Sequence, residues 1–221
     1  MTTTRDEVAR SSLAVVVPVK SFGAAKQRLA PHLDDGQRAD LARFLADRVI
    51  RAIVERGVTA WVACDDAEVE RWARSGGARI AWTPNLGLNG AVAEGVRCAV
   101  AAGAEHITVS HADLARPGSV LSVAAAGTVT LVPDRHLDGT NVMAFPADAV
   151  IAPSYGRASF QRHLTAASAA ADAAGHRLTV FRSSDLGLDV DTLNDLHHPA
   201  IREDLPRWLR TPPDNRFIPA G

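Results

Sequence analysis

The chain has 221 residues, 47% hydrophobic and 22% charged, which supplies one substantial core and excludes a disordered or fibrous polymer. With 24 basic and 25 acidic residues the formal net charge is -1, so no general field draws the chain to nucleic acid or to an anionic membrane, and any anion must be bound locally. The polar start MTTTRDEVARSS and the short apolar run Leu13 to Val17 fall well short of a signal-peptide core or a membrane span. Cys64 and Cys98, with no CxxC spacing, read as free thiols suited to a reducing cytoplasm.

LAVVVPV, Leu13 to Val19, is a β-branched run that predicts a strand buried on both faces, as parallel sheets require. The polar stretch KSFGAAKQRLAPHLDDG follows, and then Leu41, Leu45, Val49 and Ile53 recur at helical spacing, predicting an amphipathic helix ended by Gly57. Strand AWVACD, helix AEVERWARSGG, strand RIAWTP, helix GAVAEGVRCAVAAG and strand HITVSHAD come next, joined by short links. Such alternation implies βαβ crossovers and therefore an α/β fold, a three-layer αβα sandwich around a mainly parallel, mixed sheet. Beyond it the pattern predicts a short helix, strands at Val129–Pro133 and Asn141–Phe145, an alanine-rich helix from about Arg157 to Ala174, and strands near Leu178 and Leu188. One of these later strands could run antiparallel. Residues 1–198 read as a single domain, and the proline-rich stretch 199–221 as a surface strap with Trp208 and Phe217 as anchors.

Ligands of open parallel sheets gather outside the carboxyl ends of the strands, so the chemistry belongs in the loops that follow them. After the first strand stand Lys20, Lys26 and Arg28, with Gly23 between them to permit a tight turn; the loop could clasp a triphosphate or be merely solvated. Asp113 follows the strand that ends at Ser110, and GLDVDT places Asp189 and Asp191 two residues apart, on one face if that segment is extended. Three converging carboxylates would suit Mg²⁺, a hard cation that prefers oxygen ligands; a lone D-x-D is as readily a strand end. NLGLNGAV, PDRHLDGTN and SYGRASFQRH combine glycine with amide or hydroxyl groups near turns and helix starts, where backbone amides can meet an anion, and each could equally be an ordinary turn. His197 and His198 lack a helical partner and read as a surface pair.

PVKSFGAAKQRLAP, NLGLNGAV, HADL, PDRHLDGTN, SYGRASFQRH and DVDTLNDL stand in the order seen in the phosphoenolpyruvate or 2-phospho-L-lactate guanylyltransferases of coenzyme F-420 (deazaflavin) biosynthesis, which the chain resembles from Leu13 to Leu196. The resemblance implies a GT-A-like, nucleotide-diphospho-sugar transferase-like nucleotidyltransferase fold. It also implies transfer of GMP from GTP to a small phosphorylated acid, with pyrophosphate released, and a downstream transferase that could take the product. Carried over by position, Asp113, Asp189 and Asp191 resemble the Mg²⁺ ligands. Thr140, Gly156 and Ser159 resemble the acid pocket, Lys20, Lys26 and Arg28 would meet GTP phosphates, and Asn89 and Gly90 would face the guanosine. The chain departs from the commoner family pattern at Ala115 and Leu193, where many relatives have proline. The acceptor stays open among phosphoenolpyruvate, 2-phospholactate and 3-phosphoglycerate; a GT-A-like sugar transferase and a non-catalytic nucleotide-binding protein are the alternative functions.

Overall fold

A computed structural model describes residues 12–210 of the chain. Seven strands form one sheet: β1 (Leu13–Pro18), β2 (Thr59–Cys64), β3 (Arg79–Trp82), β4 (His106–Ser110), β5 (Thr128–Pro133), β6 (Thr140–Pro146) and β7 (Arg177–Val180). Their order is β3-β2-β1-β4-β6-β5-β7, and β6 alone is antiparallel to both of its neighbours. This reversal matters for function. An antiparallel strand begins where its parallel neighbours end, so Thr140 and Asn141 lie at the same sheet edge as the carboxyl end of β4, where the His111 N–H donates to the Asn141 carbonyl at 3.0 Å.

The alternation along β1 divides the core. Leu13, Val15 and Val17 pack on one face beneath α1 (Asp35–Val54) and α2 (Ala67–Ser75), while Ala14 and Val16 pack on the other beneath α3 (Gly87–Ala101) and α4 (Ser159–Ala174). Both faces are thus dry, as the apolar run predicted. The sandwich and its mainly parallel sheet agree with the sequence reading, whereas several element boundaries differ. α1 reaches back to Asp35 because Asp34 and Gln37 form a reciprocal capping box, a start that apolar spacing does not register. α4 begins at Ser159 rather than Arg157, since Ala158 adopts a left-handed conformation (φ 55°) and Gly156 has φ 121°. The short helix after β4 is a 3-10 helix over Pro117–Val123.

No strand forms near Leu188. That segment makes a single antiparallel bridge, Leu114 to Asp189, because it is confined between a tight turn at Gly187 and the capped helix α5 (Leu193–Leu196). Gly187 is required there: a Cβ would stand 2.7 Å from the Ser183 carbonyl oxygen.

After His198 the chain crosses α1. Ile201 and Leu205 are buried with Leu29, Leu33, Leu41 and Leu45 in a third apolar cluster, and Arg48 and Arg116 both bond Asp204. Trp208, in the short helix α6 (Arg207–Arg210), is 40% exposed and so is not the anchor; Ile201 and Leu205 are. Phe217 lies outside the described residues. Among those residues no helix is long and apolar enough to cross a membrane, and Cys64 and Cys98 are both free.

Helix α3 comes tight against the sheet at Gly95, where an added Cβ would lie 2.6 Å from Val16 Cγ1 on β1. Alanine normally favours a helix over glycine by about 1 kcal/mol, but here the stiff valine cannot yield. Gly95→Ala should therefore destabilise the fold by roughly 1 to 3 kcal/mol. At roughly 2 to 4 °C per kcal/mol, a thermal melt should shift down by several degrees. The double variant with Val16→Ala should lose less than the sum of the two single losses.

Candidate active site

A cleft of about 370 Å³ opens at the carboxyl edge of β1 and β4, lined by Lys20, Lys26, His111, Asp113, Asp189 and Asp191 among others. The three aspartates come from two loops. Asp113 follows β4, and Asp189 and Asp191 flank Val190, whose N–H donates to the Asp113 carbonyl at 3.1 Å while the Ala115 N–H donates to Leu188 at 3.2 Å. These two bonds and the Leu114–Asp189 bridge zip the loops together, so that one oxygen of each carboxylate lies within 4.8 Å of those of the others. The second of the bonds bears on the family pattern: a proline at position 115 has no N–H to offer Leu188. Leu193 stands at the first position of α5, where proline is tolerated, and packs against the third apolar cluster.

Support for the aspartate pair lies deeper. Asp195, buried, accepts the backbone N–H groups of Asp191 (3.0 Å) and Thr192 (2.7 Å) and the Thr192 hydroxyl (2.8 Å) through one oxygen, while Arg135 bonds the other. Asn141 fixes Asp189 by donating to its Oδ1 at 3.2 Å and to the Leu186 carbonyl at 3.0 Å.

Lys26 is the counterweight. Its Nζ donates to Asp113 at 2.8 Å and to Asp191 at 3.0 Å, and only 7% of its side chain is exposed. It reaches that position from a left-handed backbone (φ 54°), so the strained residue of the loop is Lys26 and not the expected Gly23. Burial disfavours its charge, but Asp113 and Asp191 outweigh burial and hold its pKa above the usual lysine value. Burial likewise works to raise Asp113, and Lys26 followed by His111 overcomes it, leaving that carboxyl below its ordinary range. Asp189 lacks a cation partner: burial and then the neighbouring Asp113 charge push it up to about 6. Asp113 Oδ1 is buried and accepts no hydrogen bond.

A buried carboxylate oxygen with no hydrogen bond and only the His111 ring 3.8 Å away, beside a carboxyl whose ionisation is disfavoured, is a site short of positive charge, and hard oxygen ligands set the type of ion it would take. The residues therefore fit a divalent cation held by Asp113, Asp189 and Asp191.

Lys20 also lines the cleft, while Arg28 sits at its rim, 75% exposed and 3.7 Å from Asp191. Thr140, Gly156 and Ser159 lie outside the cleft lining; the Ser159 N–H donates to the Gly156 carbonyl at 3.1 Å, and Thr140 meets His163 of α4. Its Nδ1 is 3.0 Å from the Thr140 hydroxyl, and its Nε2 accepts the Ser154 N–H at 2.8 Å. Asn89 is engaged with this same loop, accepting the Tyr155 N–H at 2.6 Å, and Gly90 lies tight against Leu86. His111, Asn141, Tyr155, His163 and Asp195 are the contributors that motif reading did not single out. All five fall inside the quoted motifs, yet nothing in a motif says which member turns inward.

A second pocket of about 230 Å³ adjoins the cleft through Pro18, Val19, Lys20, Ala24 and Leu88 and continues towards Cys64, Asp65 and Thr83. The fold is the one seen in solved nucleotide-diphospho-sugar transferases and nucleotide-acid synthetases. A putative nucleotide-diphospho-sugar transferase from Desulfovibrio desulfuricans G20 superposes with a TM-score of 0.66 at 16% identity, covering 84% of each chain. A CMP:2-keto-3-deoxy-manno-octonic acid synthetase does so at 0.50 and 16%, covering 84% of this chain and 95% of its own. At such identities the likeness is one of fold alone.

Sequence carries the assignment further. Residues 13–202 match the family described as guanylyl transferase CofC like, and the chain belongs to that family. A phosphoenolpyruvate guanylyltransferase of Sphaerobacter thermophilus is 33% identical over 192 residues, 84% of this chain and 91% of its own. One from Salinispora arenicola is 36% identical over 197 residues, 84% and 86%.

Two outcomes test the electrostatics. Divalent-ion affinity, measured by Mn²⁺ titration between pH 5 and 8, should be level above Asp189's value of about 6 and fall as pH drops through it, because the proton then competes for that carboxylate. Removing the lysine charge in Lys26→Met should tighten Mn²⁺ binding and make thermal stability more dependent on added Mg²⁺ than in the parent protein.

Proposed function

We propose that the chain transfers GMP from GTP to phosphoenolpyruvate, releasing pyrophosphate, and that Mg²⁺ held by Asp113, Asp189 and Asp191 is its cofactor. The observation that carries this reading is the acidic cluster gathered around Lys26 at the sheet edge, in a chain of the guanylyl transferase CofC-like family.

The reaction sets a problem of charge. An oxygen of the acid's phosphate attacks the α-phosphorus of GTP, a new P–O–P link forms, and the bond from the α-phosphorus to the bridging oxygen breaks, its electron pair leaving with pyrophosphate. Both reactants are anions. When bound, Mg²⁺ would neutralise phosphate charge as a Lewis acid. Lys20 and Lys26, both lining the cleft, are suited to meet the triphosphate, and Arg28 at its rim adds a third, more exposed positive charge. The attacking phosphate is already ionised near neutral pH, so the reading assigns no general base.

The adjoining 230 Å³ pocket suits the nucleoside, since a nucleotide spanning both cavities would bring its phosphates past Lys20. Thr140, Gly156 and Ser159 serve the acid on the opposite side, around the antiparallel start of β6. The product is a mixed phosphoanhydride, an activated compound suited to a downstream transferase in coenzyme F-420 assembly. Two free thiols suit work in the cytoplasm.

The test is pyrophosphate release from purified protein given GTP, Mg²⁺ and, separately, phosphoenolpyruvate, 2-phospholactate or 3-phosphoglycerate. Release should require GTP and be fastest with phosphoenolpyruvate; release with none of the acids, with or without a coupled downstream transferase, would sink the reading. Asp191→Asn should lower kcat/KM by about a hundredfold or more while the melting curve stays cooperative, and full activity in that variant would remove Asp191 from the metal site.

A further inference from the structure

The Ser154–Gly156 loop is gripped from two helices by side chains that the reaction described above does not use. From α4, His163 is fully buried and touches two segments at once. The Ser154 N–H donates to its Nε2 at 2.8 Å, so that nitrogen carries no proton and the neutral ring keeps its proton on Nδ1. Nδ1 then donates to the Thr140 hydroxyl at 3.0 Å. Burial, reinforced by Arg162 and His111, lowers the ring's pKa to about 4 and keeps it neutral at working pH. A hydroxyl that accepts from an imidazole has its own hydrogen turned away from it, and Thr140 is thereby set as a donor, the polarity an anion requires.

From α3, Asn89 meets the next residue of the same loop. Its Oδ1 accepts the Tyr155 N–H at 2.6 Å and its Nδ2 lies 3.5 Å from the Tyr155 carbonyl, so its amide is turned to the loop backbone rather than to a base. Between these struts the buried Tyr155 ring meets His163 edge-on at 4.8 Å and His111, two residues before Asp113, at a tilt at 5.1 Å. The loop is thus fixed relative to Thr140 on one side and to the acidic cluster on the other.

We infer that Asn89 and His163 are positioning residues for the acceptor: by holding the Ser154–Gly156 loop and the Thr140 hydroxyl in one arrangement, they set affinity for the phosphorylated acid and not for GTP. The inference rests on the proposed reaction. Asn89, expected from the family likeness to face the guanosine, belongs by this account to the acid side.

Three variants separate the contacts. His163→Gln can keep the acceptor for Ser154 but loses the donor to Thr140, His163→Asn can keep the donor but loses the acceptor, and Asn89→Ala removes the second strut at an exposed helix position. Initial rates are measured with the acid varied at saturating GTP and with GTP varied at saturating acid, alongside thermal melts. All folded variants should raise the acid KM by about tenfold or more and leave the GTP KM within about twofold. A raised GTP KM, or an unmoved acid KM in proteins that melt normally, overturns the assignment; should either His163 variant fail to fold, Asn89→Ala alone decides it. The parent protein separates the two levels. If it turns over no acid with GTP, the reaction is wrong and the inference falls with it, whereas an active parent with unmoved variants refutes the inference alone.

Discussion

Three carboxylates held within 4.8 Å of one another repel the more strongly the less water separates them, and the fold has to bring them together from loops more than seventy residues apart in sequence. Lys26 makes this possible by placing one buried ammonium between Asp113 and Asp191. It leaves Asp189 without a cation partner and one oxygen of Asp113 with no hydrogen bond and only the His111 ring 3.8 Å away, a residual deficit that would suit a divalent ion. The arrangement therefore holds the cluster together while leaving part of its negative charge uncompensated.

The supporting structure follows from that requirement. Asp195 and Arg135 hold the backbone of Asp191, Asn141 holds Asp189, and the bond from Ala115 to Leu188 closes the two loops on each other. None of these groups need touch a substrate. They replace the rigidity that a continuous strand through Leu188 would have supplied, which explains how a segment with a single bridge can hold two aspartates in register.

The reversed strand β6 divides the work of the edge. Its carboxyl-edge start delivers Thr140 and Asn141 beside β4, so adjacent residues reach two separate clusters: Asn141 bonds Asp189 while Thr140 bonds His163. On the other flank the loop after β1 places Lys20 between the two adjoining cavities and Lys26 in the larger of them. An α/β sheet with every strand parallel would present only loop ends there; one antiparallel member lets a strand start contribute side chains held by sheet hydrogen bonds.

What the sequence determined by itself was whatever depends on local pattern. The β-branched run from Leu13, the helical spacing of Leu41, Leu45, Val49 and Ile53, and the strand–helix alternation each encode burial through side-chain period, which is enough to specify the layers of the sandwich. Ordered motifs likewise singled out Asp113, Asp189 and Asp191, which the fold brings within 4.8 Å of one another. Other features depended on contacts between distant segments and were legible in no window of sequence. These include the left-handed turn at Lys26 that drives its ammonium between two loops, the loss of the strand at Leu188, the anchoring of the tail by Ile201 and Leu205 instead of Trp208, and the commitment of Asn89 to the Tyr155 backbone. A side chain's partner is chosen by the sum of packing, desolvation and hydrogen bonding in the closed fold, and only the tertiary structure evaluates that sum.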